Sequence, residues 1–186
     1  MKTDQENSFS PQGRLRGAFI VLLRGINVSG KNKLPMQDLR TLLEKLNFEA
    51  VQTYIQSGNI ILKSEDTKEK VASIIKEAIL KEFGYEVPVL VKTIEEWQSA
   101  IENNPFKNVE EKQQYFTFLS EATSMENIEV DAKNDEYKIK GDVVYVNAVG
   151  GYGKTKLNNN LFEKKLKVSA TTRNLKTTLK LLTLAT

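Results

Sequence analysis

Apolar residues recur along this chain with two alternating periods. Residues 18–23 (AFIVLL) form an unbroken apolar run, the pattern of a strand buried on both faces. From Pro35 the period lengthens, and Met36, Leu39, Leu43 and Leu46 share one face of a helix that a proline can open. Residues 51–56 alternate as a half-buried strand does. Ser57-Gly58 marks a tight turn, and residues 59–63 return as a second apolar strand. Asp66 and Glu69 have capping-box spacing ahead of a helix carrying Val71, Ile74, Ile75, Ala78 and Ile79, which Gly84 ends. Residues 87–91 complete a set of four strands, with Pro88 suited to an edge.

The order then repeats. Thr93 and Glu96 cap a linking helix with Ile94, Trp97 and Ile101 on one face, stopped near Pro105. Residues 115–119 read as an apolar strand, and Ser124 is placed to cap a short helix through Ile128. Residues 136–140 alternate, Gly141-Asp142 turns, and 143–146 is apolar again. Leu157, Leu161 and Leu166 mark a helix, 167–171 a short polar strand, and Leu175, Leu179 and Leu182 a final helix. The expected fold is therefore α+β: two tandem ferredoxin-like (β-α-β-β-α-β) halves with antiparallel sheets. Residues 1–16 read as a disordered N-terminal extension and 17–93 as the first half. Residues 94–186 hold the linking helix, the second half and the C-terminal helix.

Composition narrows the chemistry more than the fold. The 186 residues include no cysteine and no histidine. Thiolate or imidazole zinc sites, disulfides, cysteine nucleophiles and Ser-His-Asp triads are thereby excluded. Proton transfer would fall to Asp, Glu, Lys or Tyr, and a metal would be a hard cation held by oxygens. No catalytic residue and no metal ligand is singled out, and no cofactor is implied. Net charge is +3, with 40% apolar and 27% charged residues, which permits an acidic partner without requiring one. The polar N-terminus lacks the apolar core of a secretory signal, and the run at 18–23 is too short to span a bilayer. The expectation is a cytoplasmic protein without a membrane partner; its oligomeric state is left open.

Several segments resemble a known family. LLRGINVSGKNKLPM at 22–36 and TYIQSGN at 53–59 are similar to the opening signature of a bacterial family of unknown function, DUF1697. NPF at 104–106, GKTKL at 153–157 and ATTRN at 170–174 resemble its later motifs, so that the likeness runs from about residue 18 to 185. Leu175 stands where the family usually has Trp, and Lys154 where Arg is common. The resemblance implies a ferredoxin-like duplication and brings no reaction, substrate or cofactor.

Two basic edges are candidate ligand sites. The loop 24–33 should lie beside the turn 56–59, placing Arg24, Asn27, Lys31 and Lys33 near Gln56, Ser57 and Asn59. Glycines and a helix start at Pro35 complete the ingredients of a phosphate or carboxylate cradle. At the second edge Lys154 and Lys156 should converge with Arg173 and Asn174. In the competing reading these polar residues serve only turns and caps, Thr155 and Asn174 being helix N-caps. Ala148 and Gly153-Lys154-Thr155 match a relaxed Walker A spacing, but without the first glycine or a parallel sheet. The function expected is binding of an anionic, phosphate-containing small molecule. The alternatives are an enzyme acting on a phosphorylated substrate and a low-specificity nucleic-acid-binding protein. Tyr115 and Tyr145 could stack bases, but sheet packing accounts for both.

Overall fold

The computed structural model describes residues 17–28 and 30–186, so the expected 1–16 extension lies outside the described residues. The first four strands are β1 (Gly17–Leu23), β2 (Glu49–Tyr54), β3 (Asn59–Ser64) and β4 (Val89–Thr93), with helices α1 (Met36–Lys45) and α2 (Lys68–Phe83) between them. Helix α3 (Ile94–Glu102) follows β4 directly. The remaining elements are β5 (Gln114–Leu119), β6 (Glu136–Lys140), β7 (Val143–Asn147), α4 (Asn159–Leu166), β8 (Ala170–Asn174) and α5 (Leu175–Ala185). The strands form two four-stranded antiparallel sheets, ordered β2-β3-β1-β4 and β6-β7-β5-β8. The protein is thus α+β.

The unbroken apolar runs belong to the interior strands because both faces of each sheet are covered. Phe19, Val21 and Leu23 pack with Leu39 and Leu43 of α1 and Val71, Ile75 and Ile79 of α2. Their neighbours Ile20 and Leu22 point the other way, into a central core shared with Phe116, Phe118, Val143 and Tyr145 of the second sheet. Trp97 of α3 and Leu181 of α5 complete that core. Leu119, Val144 and Val146 face a third cluster with Phe162 and Leu166 of α4. At about 1.5–3 kcal/mol for each fully buried large apolar side chain, the central core is the dominant attraction between the sheets.

Three sequence expectations give way here. No helix forms from Ser124 to Ile128. Ile128, Val130 and Ala132 instead pack on the third core at alternate positions, and the Tyr137 hydroxyl both accepts from the Ile128 N–H and donates to its carbonyl, each at 2.8 Å. The strand expected at 167–171 begins at Ala170, because Lys167 closes α4 in the left-handed region (φ 60°) and cannot also be extended. The caps of α2 and α4 are Thr67 and Asn158, not Asp66 and Thr155. Thr67 accepts from Lys70 N–H, and Asn158 from Leu161 N–H. The capping box of α3 forms as expected, Thr93 and Glu96 each bonding the other's backbone N–H. In α5 Leu179 is exposed, and Thr177, Thr178 and Leu181 supply the buried face.

Candidate functional site

The 24–33 loop and the 56–59 turn do lie together, but most of their polar groups bind each other. Leu23 N–H donates to the Gly58 carbonyl at 2.8 Å. Gly58 has φ 71°, and a Cβ there would come within 2.7 Å of Leu23 Cβ, so the contact requires glycine. Asn27 Nδ2 donates to the Leu34 and Gln56 carbonyls at 2.9 Å each, while its Oδ1 accepts from Leu34 N–H at 2.8 Å. Asn59 is fully buried, its Nδ2 donating to the Tyr54 carbonyl and to Ser57 Oγ. Lys31 and Lys33 are exposed, and no hydrogen bond or ion pair engages their ammonium groups among the described residues.

Arg24 and Arg173 join the two sheets' units. Arg24 leaves its own loop and forks onto α4: Nε and Nη2 meet the two Glu163 carboxylate oxygens at 3.2 Å each, and Nη2 donates to Asn160 Oδ1 at 2.9 Å. Arg173 points the opposite way. It was expected in a loop after the last strand; it lies within β8, beside Phe116, on the face turned to the central core. Its Nε donates to Asn59 Oδ1, Nη2 to the Ser57 and Leu23 carbonyls at 2.9 and 3.4 Å, and Nη1 to Thr171 Oγ1 and the Thr172 carbonyl at 2.8 Å each. Burial, helped by repulsion from Arg24, pulls this guanidinium down to about 10, so it remains charged at neutral pH. Asn174 is the N-cap of α5, bonded to Thr177 N–H at 2.8 Å.

A counterpart of the Arg173 clasp stands at the other end of the central core. Lys92 of β4 and Arg173 of β8 each occupy the penultimate position of the last strand of a sheet, and in each case the next residue caps a helix. Lys92 is buried and pairs with Asp142 in the β6–β7 turn, just as Arg173 reaches the β2–β3 turn. Each unit therefore grips the hairpin turn of the other with a cation.

Lys154 and Lys156 stand apart from Arg173 in their contacts. They line a hollow of about 310 Å³ with Lys133, Asn134, Asp135 and Gly150. Lys156 pairs with Asp131 at 3.3 Å, which holds the Asp131 carboxyl below its usual range. Asp135 Oδ1 accepts from Val149 N–H at 2.9 Å. Both acids near this hollow thus already have partners, whereas the ammonium groups of Lys133 and Lys154 make no hydrogen bond or ion pair among the described residues.

Several residues of these networks stand outside every motif and periodicity of the sequence. Tyr152 donates to Thr172 Oγ1 at 3.0 Å and accepts from Asn159 N–H at 3.1 Å; Thr172 donates in turn to Asn159 Oδ1 at 2.7 Å. Having given its one proton to Asn159, Thr172 accepts from Thr117, 2.7 Å away. Burial raises the Tyr152 hydroxyl pKa. The asparagine run 158–160 is the available hint, since one member caps α4 and the next two bind Thr172 and Arg24. Tyr145 is buried, with its hydroxyl on the Ala100 carbonyl at 2.9 Å, and Phe116 and Phe118 are buried with it, so of the two stacking candidates only Tyr115 keeps part of its surface open, its ring 5.2 Å from that of Tyr152. Among the described residues no His, Cys, Asp or Glu groups of three or more converge to hold a metal, and no helix is long and apolar enough to cross a membrane.

The molecule is thus an α+β protein of two antiparallel sheets gripped together by reciprocal cationic clasps. The chain belongs to the family described as "Protein of unknown function (DUF1697)", whose model matches residues 17–145. That span includes the signature loop, the 56–59 turn and Lys92, and ends before Lys154, Arg173 and Asn174. Among solved structures it is similar to "conserved bacterial protein SP0830 from Streptococcus pneumoniae", at 24% identity and a TM-score of 0.68, over 92% of this chain and 100% of that one. This likeness concerns the fold. No curated protein matches the chain.

Proposed function

We propose that this protein is a cytoplasmic binding protein for an anionic, phosphate-containing small molecule, and that the ligand occupies the hollow lined by Lys133, Asn134, Gly150, Lys154 and Lys156. The observation that carries the reading is the surplus of positive charge: Lys133, Lys154 and Lys156 line the hollow against two nearby acids, Asp131 and Asp135, the first of which already pairs with Lys156. A hollow of about 310 Å³ is at the lower end of small-molecule sites, suited to a phosphate with a small attached group. Lys31 and Lys33 offer a second, shallower patch of free positive charge, while Arg24, Asn27, Ser57, Asn59 and Arg173 act as framework. We also read each unit as ferredoxin-like, divided near residue 93. The strand orders β2-β3-β1-β4 and β6-β7-β5-β8 support this, with the second unit departing by its extended 120–135 segment in place of a helix.

Thermal denaturation in the presence of inorganic phosphate, nucleotides and sugar phosphates tests the reading. A ligand bound only by the folded state must raise the midpoint. The expected result is a rise with at least one of these anions that disappears in the Lys133→Ala/Lys154→Ala variant and persists in Lys31→Ala/Lys33→Ala. Absence of any rise across the panel, or a rise untouched by Lys133→Ala/Lys154→Ala, overturns it.

A further inference from the structure

The pairing of the two clasps extends residue by residue, and it exposes a place where one unit carries a guanidinium and the other a hollow. Ile20 pairs with Lys92 as Phe116 pairs with Arg173. Continuing from those pairs, Leu23 corresponds to Leu119 and Arg24 to Ser120. Backbone hydrogen bonds fix the correspondence independently. Leu23 N–H donates to Gly58 as Leu119 N–H donates to Asp142, at 2.8 and 2.9 Å; Arg24 N–H donates to Pro88 as Ser120 N–H donates to Ser169, at 3.0 and 2.8 Å. Counted from their N-caps Thr67 and Asn158, Glu69 of α2 corresponds to Asn160 of α4, and Ala72 to Glu163.

Arg24, at the end of β1 in the first unit, spans to α4 of the second and is held by Asn160 and Glu163. At the corresponding place beside α2, Ser120 and Ala72 are too short to meet, and a hollow of about 360 Å³ opens between them. Lys68, Glu69, Lys92, Glu121 and Asp142 also line it. Lys92 pairs with Asp142, and Lys68 with Glu96. Glu69 attracts Lys68 through space, and neither its carboxylate nor that of Glu121 accepts a hydrogen bond among the described residues. Three acids thus stand against two lysines in the lining, and the hollow is negative where the lysine hollow is positive. Glu69 holds the position from which Asn160 accepts the Arg24 guanidinium.

We propose that this hollow binds a small guanidinium compound, with Glu69 and Glu121 as acceptors and the cation seated where Arg24 seats its own in the other unit. The wall opposite the acids supports this assignment: Ala72, Val89, Leu90 and Leu119 offer apolar surface for the flat face and carbon chain of such a group. The site lies apart from the lysine hollow and takes a ligand of opposite charge, so it stands whether or not the anion reading holds.

Amide chemical-shift mapping of the whole chain during titration with agmatine, beside N-carbamoylputrescine, which has a neutral urea in place of the guanidinium, tests the proposal. Expected are saturable shifts concentrated at 68–72 and 119–122 with agmatine, none with N-carbamoylputrescine, and their loss in Ser120→Arg, whose side chain fills the hollow. Glu69→Gln, at an exposed position, is the second variant in case Ser120→Arg does not fold, and it should weaken binding several-fold. The proposal is overturned if agmatine produces no saturable shift at those amides, if N-carbamoylputrescine produces the same shifts, or if Glu69→Gln leaves the affinity unchanged.

Discussion

The Trp97 indole N–H donates to the Thr178 carbonyl at 3.0 Å, and the two residues stand at the same step, four past the N-caps Thr93 and Asn174, of α3 and α5. Equivalent positions of the two units therefore meet one another in the central core, as they would across a two-fold axis. Trp97 also stacks on Phe118, ring centroids 4.3 Å apart. As the only tryptophan in the chain and fully buried there, it reports on that junction alone. If the units part only when both unfold, the red shift of its fluorescence in urea will coincide with the loss of far-UV circular dichroism. A fluorescence change that precedes the loss of secondary structure would show that the units separate first.

Replacing Arg173 should be the most damaging single change at the junction. Arg173→Ala strands Asn59 Oδ1 and two carbonyls in a dry site, at about 3–5 kcal/mol for a broken buried charged network. Lys92→Ala leaves Asp142 a third exposed and able to recover water, so about 1–2 kcal/mol is expected. Arg173→Lys should fail to rescue, because an ammonium cannot supply the fork. Urea midpoints of the three variants give the order.

Arg24 and Glu163 make a further cross-unit contact, about a quarter exposed on each side. A double-mutant cycle with Arg24→Ala and Glu163→Gln should return a coupling of about 1 kcal/mol, above the usual surface pair because the guanidinium is held on two oxygens. The coupling should survive moderate salt.

Ile55 has φ 51° in the hairpin turn and is half exposed, so a β-branched residue sits in the left-handed region without burial to compensate. Ile55→Gly or Ile55→Asn should raise stability by about 1 kcal/mol. An unchanged or lower urea midpoint in both would contradict this.

Tyr145 sets an alkaline limit. Burial, with a smaller push from the Asp142 charge, moves its hydroxyl from 10.0 to about 12. A proton held more tightly when folded contributes stability that is complete below pH 10 and is lost as the pH rises through about 12. Wild type should therefore lose stability over that window more steeply than Tyr145→Phe, and tyrosinate absorbance should show one late-titrating group absent from the variant.

The sequence made the interior strands readable for a physical reason. Ile20 and Leu22 are apolar for the central core, Phe19, Val21 and Leu23 for the helices, and a strand covered on both faces has no polar alternation to display. The proximity of the 24–33 loop to the 56–59 turn was likewise legible, since a strand end and a hairpin turn at one sheet edge must be neighbours. What these groups bind was not. Arg24 finds its partner 139 residues away and Arg173 finds Asn59 114 residues away, and neither separation leaves a mark in local spacing. The misplaced helix at 124–128 shows the same limit: the cap signal at Ser124 was local, whereas Tyr137 and the third core hold Ile128 from afar.

β4 runs into α3 without an intervening loop, and Lys92, Thr93 and Trp97 on that one stiff passage serve a clasp, a cap and the shared core in turn. The covalent tether between the units is thus also part of their interface. A slack linker would let one partner drift out of reach, whereas this one presents each unit to the other at high effective concentration. The arrangement amounts to a dimer that dilution cannot dissociate.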